Sequence, residues 1–237
     1  MKEASLEQIY AALPEDIKSS LQRLAEAFLK ANGILNLSAH RTIERTWKGN
    51  VMDSLAACAF LQEFSIVHFP FSMLDLGTGG GFPLLPLAIV YPKHQCTGLD
   101  SVGKKVEAVR RIAKEMNLSN VTLLAGRTED LGHDQMHREH YDVVSARAVG
   151  QVPMLLEYCA PFTKVGNHIL LWKSMDIEDD ISSASRAEAE LFVKRIDAIT
   201  YDLGDTWGKR QILVYEKTQS TPKEYPRPVG TAKKHPL

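Results

Sequence analysis

The sequence predicts an α/β protein, a doubly wound and mostly parallel sheet preceded by an N-terminal helical extension. Three observations carry that reading. From residue 71 onward, short apolar runs alternate with helix-compatible stretches, the pattern of parallel strands joined by crossovers. One run, Met73-Leu74-Asp75-Leu76, opens directly into Gly77-Thr78-Gly79-Gly80-Gly81-Phe82-Pro83, a strand–turn–helix of the kind that binds ligands at the carboxyl end of a sheet. The next run, Cys96-Thr97-Gly98-Leu99, ends in Asp100, 23 positions after Gly77. An acid at that place can accept the hydroxyls of a bound ribose.

The elements follow in order. Residues 5 to about 62 read as helical: Ile17, Leu21, Leu24, Ala25, Phe28 and Leu29 keep helical spacing after Pro14, and Trp47, Val51, Leu55 and Ala59 do so again. Between them Asn32-Gly33-Ile34-Leu35-Asn36-Leu37-Ser38 reads as a loop, with Gly33 as the helix stop. Strands are predicted near 72–76, 95–99, 121–125, 141–146 and 168–172, with helices near 83–90, 102–116 and 151–160. The runs 192–201 and 209–215, separated by Asp202, Gly204, Asp205 and Gly208, read as an antiparallel pair closing the sheet edge. The segment 218–237 carries Pro222, Pro226, Pro228 and Pro236 and is predicted to be extended or disordered until bound. The chain thus divides into a helical extension over 1–66, a ligand-binding domain over 67–217 and a basic, proline-rich tail over 218–237.

Composition narrows the function. The 237 residues are 44% hydrophobic and 24% charged, ordinary values for a globular protein. No apolar run reaches the ~20 residues of a membrane span, because Pro83, Pro86 and Pro92 interrupt the most apolar region. The first residues lead into an amphipathic helix rather than the apolar core of a signal peptide. Cys58, Cys96 and Cys159 are odd in number and lack metal-ligand spacing. They read as buried thiols of a cytoplasmic protein, with no metal expected. A net charge of -1 argues against holding nucleic acid by bulk charge, yet the charge is segregated. Residues 176–190 are acidic, whereas Lys209, Arg210, Lys217, Lys223, Arg227, Lys233 and Lys234 make the end basic. That asymmetry fits a polyanion met at one end; taken alone, it is better described by a solvated helix and a floppy tail.

The glycine turn is a poor dinucleotide loop, because Phe82 occupies the third glycine position of Gly-x-Gly-x-x-Gly counted from Gly77. Asp100 favours a nucleoside ribose, although Asp100 or Ser101 can also cap the helix beginning near Val102. Gly126-Arg127-Thr128-Glu129-Asp130 follows the third strand. It can offer backbone N–H groups and a carboxylate to an adenine edge, or simply cap a helix. Arg147, in Asp142-Val143-Val144-Ser145-Ala146-Arg147-Ala148, stands at the carboxyl end of the fourth strand, where it can hold a carboxylate or phosphate.

Together these pieces resemble the class I S-adenosylmethionine-dependent methyltransferases, of Rossmann-like fold. More narrowly, Asn36-Leu37-Ser38, Met52-Asp53-Ser54, the glycine turn, Leu99-Asp100-Ser101-Val102-Gly103-Lys104-Lys105, Ser145-Ala146-Arg147-Ala148 and the ending Gly230-Thr231-Ala232-Lys233-Lys234-His235-Pro236-Leu237 are similar to the small-subunit ribosomal RNA methyltransferase G family, also called glucose-inhibited division protein B. The resemblance implies methylation of guanine N7 in 16S ribosomal RNA of the small ribosomal subunit. It also implies that Gly77, Phe82, Asp100, Ser101, Val102, Thr128, Glu129 and Arg147 contact S-adenosyl-L-methionine, and that Lys173 lies near the acceptor as a base-orienting candidate. No membrane partner and no obligate protein partner is implied. Three positions depart from the family pattern: Asn50 stands for a usual histidine, Leu84 for a glycine after Phe82-Pro83, and Ser174 for a glycine after Lys173.

Guanine N7 attacks through an in-plane lone pair, so no general base is expected. RNA contacts are expected from Arg41, Arg45 and Lys48, from Lys104 and Lys105, and from the tail. On that division of labour, deleting 218–237 weakens RNA binding and leaves cofactor affinity intact. A small-molecule methyltransferase, a non-catalytic ribosome-assembly factor and a nicotinamide oxidoreductase are the competing readings.

Overall fold

The computed structural model describes residues 2–63, 70–147, 150–204 and 206–237. The 66/67 division, Ala148 and Asp205 therefore lie outside the described residues. A short strand β1 (Lys2–Ala4) leads into helices α1 (Leu6–Ala12) and α2 (Glu15–Leu35). Ser5 caps α1 by accepting the Gln8 N–H, and Glu15 and Asp16 suit the positive start of α2.

The expected stop at Gly33 is corrected: α2 runs through it and ends at Asn36, which takes the left-handed conformation at φ 51°. Asn32, fully buried, turns the chain back by donating from Nδ2 to the carbonyls of Ser38 at 3.1 Å and His40 at 2.7 Å. Then come α3 (Ile43–Thr46), a π-helical turn Trp47–Met52, α4 (Asp53–Leu55) and α5 (Ala57–Glu63).

The alternating region forms β2 (Ser72–Leu76), α6 (Leu84–Val90), β3 (Gln95–Asp100), α7 (Gly103–Glu115), β4 (Val121–Ala125), α8 (Thr128–Leu131), β5 (Tyr141–Arg147), α9 (Val152–Cys159), a 3-10 turn Ala160–Phe162 and β6 (Thr163–Ser174). The acidic segment folds as two short helices, α10 (Glu178–Ser182) and α11 (Ser185–Leu191). It is followed by β7 (Val193–Asp202), β8 (Lys209–Lys217) and α12 (Thr231–Lys234).

The eight strands form one sheet in the order β1-β7-β8-β6-β5-β2-β3-β4. Strands β2 to β6 pair in parallel, whereas β8 runs antiparallel to both β6 and β7. The β7–β8 pair was expected at the sheet edge, but β1 covers β7 in parallel, from Lys2 opposite Ile199 to Ala4 opposite Tyr201. Three residues are too few to show a strand alternation. Chain order reverses between β2 and β5, which opens the crevice where such sheets bind ligands.

Apolar side chains fill both faces of the sheet. On one face Leu21, Leu24, Phe28, Leu55 and Phe60 pack with Met73, Phe82, Leu85 and Val109, so the N-terminal helices share a core with the sheet. On the other face Leu155, Leu156, Leu171, Leu191 and Leu213 join Tyr225, Ala232 and Leu237 from the end of the chain.

Segment 218–237 is thus a packed strap, a second correction. Arg138 donates to the carbonyls of Thr221, Pro222 and Tyr225, and Glu139 accepts the Thr221 N–H and pairs with the buried Lys217 at 2.7 Å. Arg227 is an internal cation, held on the fully buried Glu157 at 2.6 Å. Tyr225 donates its hydroxyl to Glu190. The prolines suit an irregular path, and fixed partners replace a ladder. Among the described residues, no helix is long and apolar enough to cross a membrane.

Candidate functional site

The site forms where β2 gives way to the glycine turn. Gly77 and Thr78 donate their N–H groups to the Leu99 carbonyl at 2.8 and 3.0 Å, which folds the turn over the end of β3. Gly77 and Gly79 take φ of 68° and 56°, values that favour glycine. Gly81, at φ 89°, shares that freedom, and Gly80 and Gly81 serve a steric purpose as well. A Cβ there would lie 2.7 Å from Phe28 and 2.8 Å from Leu85, so those glycines let the N-terminal helix and α6 close against the turn.

Asp100 holds the arrangement. Its Oδ2 accepts the Gly79 N–H at 2.9 Å and its Oδ1 the Val102 N–H at 2.8 Å. The carboxylate therefore steadies both the turn and the approach to α7, and each oxygen keeps a lone pair for a ligand.

Beneath the turn lies Asp75, 1% exposed. Its partner in the β2–β5 register is Ser145, whose hydroxyl donates to Oδ1 at 2.9 Å. Burial raises the Asp75 carboxyl from 3.8 to about 6, with nearby Asp100 adding to the rise and Thr78, Ser145 and Arg147 opposing it. With the folded value above the unfolded one, the stability from this group is fully present below about pH 3.8 and lost as pH rises through about 6. Asp75→Asn should therefore be more stable than the parent at pH 8 by about 3 kcal/mol and no more stable at pH 3.5. Urea denaturation at the two pH values checks this, and a pH-independent difference would contradict it.

Arg147 leaves the end of β5 and reaches the N-terminal helices. Its Nη1 donates to the Gly49 carbonyl at 3.1 Å and to Asp53 Oδ2 at 2.9 Å, and its Nη2 to Asn50 Oδ1 at 3.0 Å. All three acceptors belong to the π-helical turn or the residue after it, the kind of local widening found at functional sites. Asp53, buried, also accepts the Tyr201 hydroxyl at 2.7 Å and lies 3.9 Å from Arg210. The guanidinium sits 5.8 Å from the Phe82 ring centre, and Phe82 meets Phe28 edge-on at 4.8 Å.

These elements enclose a cavity of about 690 Å³, within the range of small-molecule sites. Gly77, Phe82, Asp100, Ser101, Thr128, Glu129 and Arg147 all line it. Val102 does not; its side chain is 45% exposed and only its N–H takes part, on Asp100. Several lining residues were not anticipated: Ser38, Tyr158, Gly150 and, from the strap, Lys233. Glu129 accepts both the Tyr158 hydroxyl and the Gly230 N–H at 3.1 Å, which brings the strap to the cavity rim. Nothing local to Tyr158 or Lys233 in the sequence signals this placement.

Lys173 lies outside the first cavity. It donates to the Gly150 carbonyl and to Asp180, both at 2.7 Å, and lines a second cavity of about 430 Å³. The two cavities share Ser38, Asn50, Arg147 and Gly150. His40 also lines the second. Burial holds His40 below its ordinary 6.5; its hydrogen bond with Asn50 opposes this, and the Arg147, Arg45 and Arg210 cations add to the lowering. It is therefore neutral at pH 7.

A mostly parallel sheet with a glycine turn, an acid at the end of the next strand and a cavity at the reversal point defines the α/β fold of the class I methyltransferases. A Klebsiella pneumoniae protein assigned as an O-methyltransferase has this fold, with a TM-score of 0.58 and 16% identity over 90% of this chain and 95% of its own. The rRNA small subunit methyltransferase G family profile matches residues 17–202. The chain is similar to the ribosomal RNA small subunit methyltransferase G of Brevibacillus brevis, at 40% identity over 72% of this chain and 73% of the relative. It is also similar to that of Carboxydothermus hydrogenoformans, at 32% identity over 99% and 100%. The chain belongs to the rRNA small subunit methyltransferase G family.

Proposed function

We propose that this protein methylates N7 of a guanine in 16S ribosomal RNA, with S-adenosyl-L-methionine as methyl donor. The observation that carries the reading is the pair of cavities joined at Arg147 and Asn50: a glycine-and-acid pocket for a nucleoside opens onto a second, cation-lined pocket for an acceptor.

The first cavity fits the donor by its chemistry. Asp100 offers its remaining lone pairs to the ribose hydroxyls, Glu129 and Thr128 face the base edge, and Phe82, Leu76 and Leu99 supply apolar walls. Arg147, already holding the N-terminal helices, presents its outer face to a carboxylate. The bound donor supplies an electrophilic methyl group. The chain's own residues need only align it with the guanine lone pair, and such orientation is worth up to about 7–11 kcal/mol of barrier. No proton has to leave N7, so the neutral His40 is not needed as a base.

On this reading 67–217 supplies most of the donor side, 1–66 joins it in walling the acceptor side, and 218–237 closes the donor rim. On the same reading the ribosomal substrate would be met in the cytoplasm.

Incubation with labelled donor and either transcribed 16S RNA or unmodified small subunits should put label into 7-methylguanine. Label in another RNA position, in a small-molecule fraction, or nowhere would count against the reading.

A further inference from the structure

We propose that the second cavity seats the target guanine and that the Asn50 carboxamide reads its O6; the inference rests on the methylation reading above. The cavity meets the first at Asn50 and Arg147, so a base placed in it lies directly against the donor pocket.

Its walls carry hydrogen-bond donors. Lys173, Arg210 and Arg147 are cationic, Trp172 is aromatic, and the acid lining it, Asp53, is taken up by Arg147 and Tyr201 with Arg210 nearby. A donor-rich wall suits the N7/O6 edge of guanine, where both groups accept. Adenine presents an amino donor in place of O6 and would meet like groups.

Asn50 is the sharpest feature. It is 1% exposed, its Oδ1 accepts from Arg147 and faces His40 Nδ1 at 3.2 Å, and its Nδ2 is buried without a partner among the described residues. Arg147 fixes the amide orientation, because a flipped carboxamide would set N–H against N–H. An unpaired buried donor is costly, and a ligand acceptor relieves that cost.

The surroundings serve the same placement. A Cβ on Gly49 would come within 2.4 Å of both His40 and Trp207, so this glycine lets both rings close on the π-helical turn. Arg45 lies 5.7 Å over the Trp207 ring, beside His40, which lines the cavity. An arginine backed by an indole suits a nucleic-acid strand.

The test compares the full-length parent with Asn50→Asp, which keeps the acceptor for Arg147 but loses the donor, and with Arg210→Ala, whose side chain is 37% exposed; circular dichroism checks that each variant folds. Affinity for S-adenosylhomocysteine is measured by calorimetry, and kcat/KM by formation of 7-methylguanine in 16S RNA or small subunits. Arg210 lines only the second cavity, so Arg210→Ala should keep cofactor affinity within about threefold while kcat/KM for RNA falls about 10-fold; Asn50 borders both cavities, so for Asn50→Asp kcat/KM for RNA should fall roughly 10- to 100-fold, well beyond any change in cofactor affinity. Unchanged RNA kinetics in both variants, or loss confined to cofactor affinity, overturns the inference while the methylation reading stands. If Asn50→Asp does not fold, Arg210→Ala decides alone by the same criterion. A parent that makes no 7-methylguanine removes the methylation reading and this inference with it.

Discussion

Arg227→Ala will lower the melting temperature by roughly 6–20 °C. Glu157 is fully buried, and Arg227 meets it through Nε and Nη2, at 3.0 and 2.6 Å, and through its backbone N–H at 2.9 Å. Removing the side chain leaves a buried carboxylate without its cation, which costs roughly 3–5 kcal/mol. At about 2–4 °C per kcal/mol for a chain of this size, that cost gives the stated shift. The same change should also weaken S-adenosylhomocysteine binding, because Gly230 and Lys233, which follow Arg227, reach Glu129 and the first cavity. Deleting 218–237 should do both more severely. This replaces the expectation of a tail serving RNA alone, since Tyr225, Ala232 and Leu237 belong to the core. Thermal denaturation and calorimetry check the pair of effects; a shift below about 2 °C with unchanged cofactor affinity would return the strap to the status of a surface tail.

Asp100→Ala will raise the dissociation constant for S-adenosylhomocysteine by about 100-fold or more. Two N–H groups, of Gly79 and Val102, lose a charged acceptor, and hydrogen bonds to charged groups are worth roughly 1.5–3 kcal/mol each. The ribose would lose its acceptor as well. Asp100→Asn is the more telling variant. Its amide nitrogen must face one of the two N–H donors, so an isosteric change still disturbs the turn. Calorimetry with circular dichroism as a check on folding measures both variants. Parent-like affinity in Asp100→Asn would mean that shape, not charge, holds the glycine turn.

Apart from β1, the strands were legible because each contains a short apolar run bounded by turn residues, and the sheet gives every such run a place. β2, β4 and β5 begin and end within a residue of expectation. The donor side of the site was legible for a related reason: the glycine turn and Asp100 are local signals, each readable within about ten residues.

The acceptor side was not. Arg147 meets its partners across 94 to 98 residues of chain, and no spacing rule spans that distance. Gly33 misled because a glycine can sit inside a helix when a neighbour, here Asn36, supplies the left-handed end. The strap misled because prolines and lysines argue for disorder by composition, whereas its order comes from Arg138, Glu139 and Glu157 far upstream.

The strand order has a consequence for how the chain is made. Synthesis delivers residues at about 5–20 per second, and domains fold as they emerge. When β7 has appeared, β1 is the only sheet partner already available to it, because β8 separates β7 from β6. Until residues 209–217 arrive, β6 shows an open edge, and open edges recruit other chains. Insertion of β8 between two waiting strands closes both edges in one event. The interval before it is when a slowed ribosome leaves this protein most exposed to aggregation.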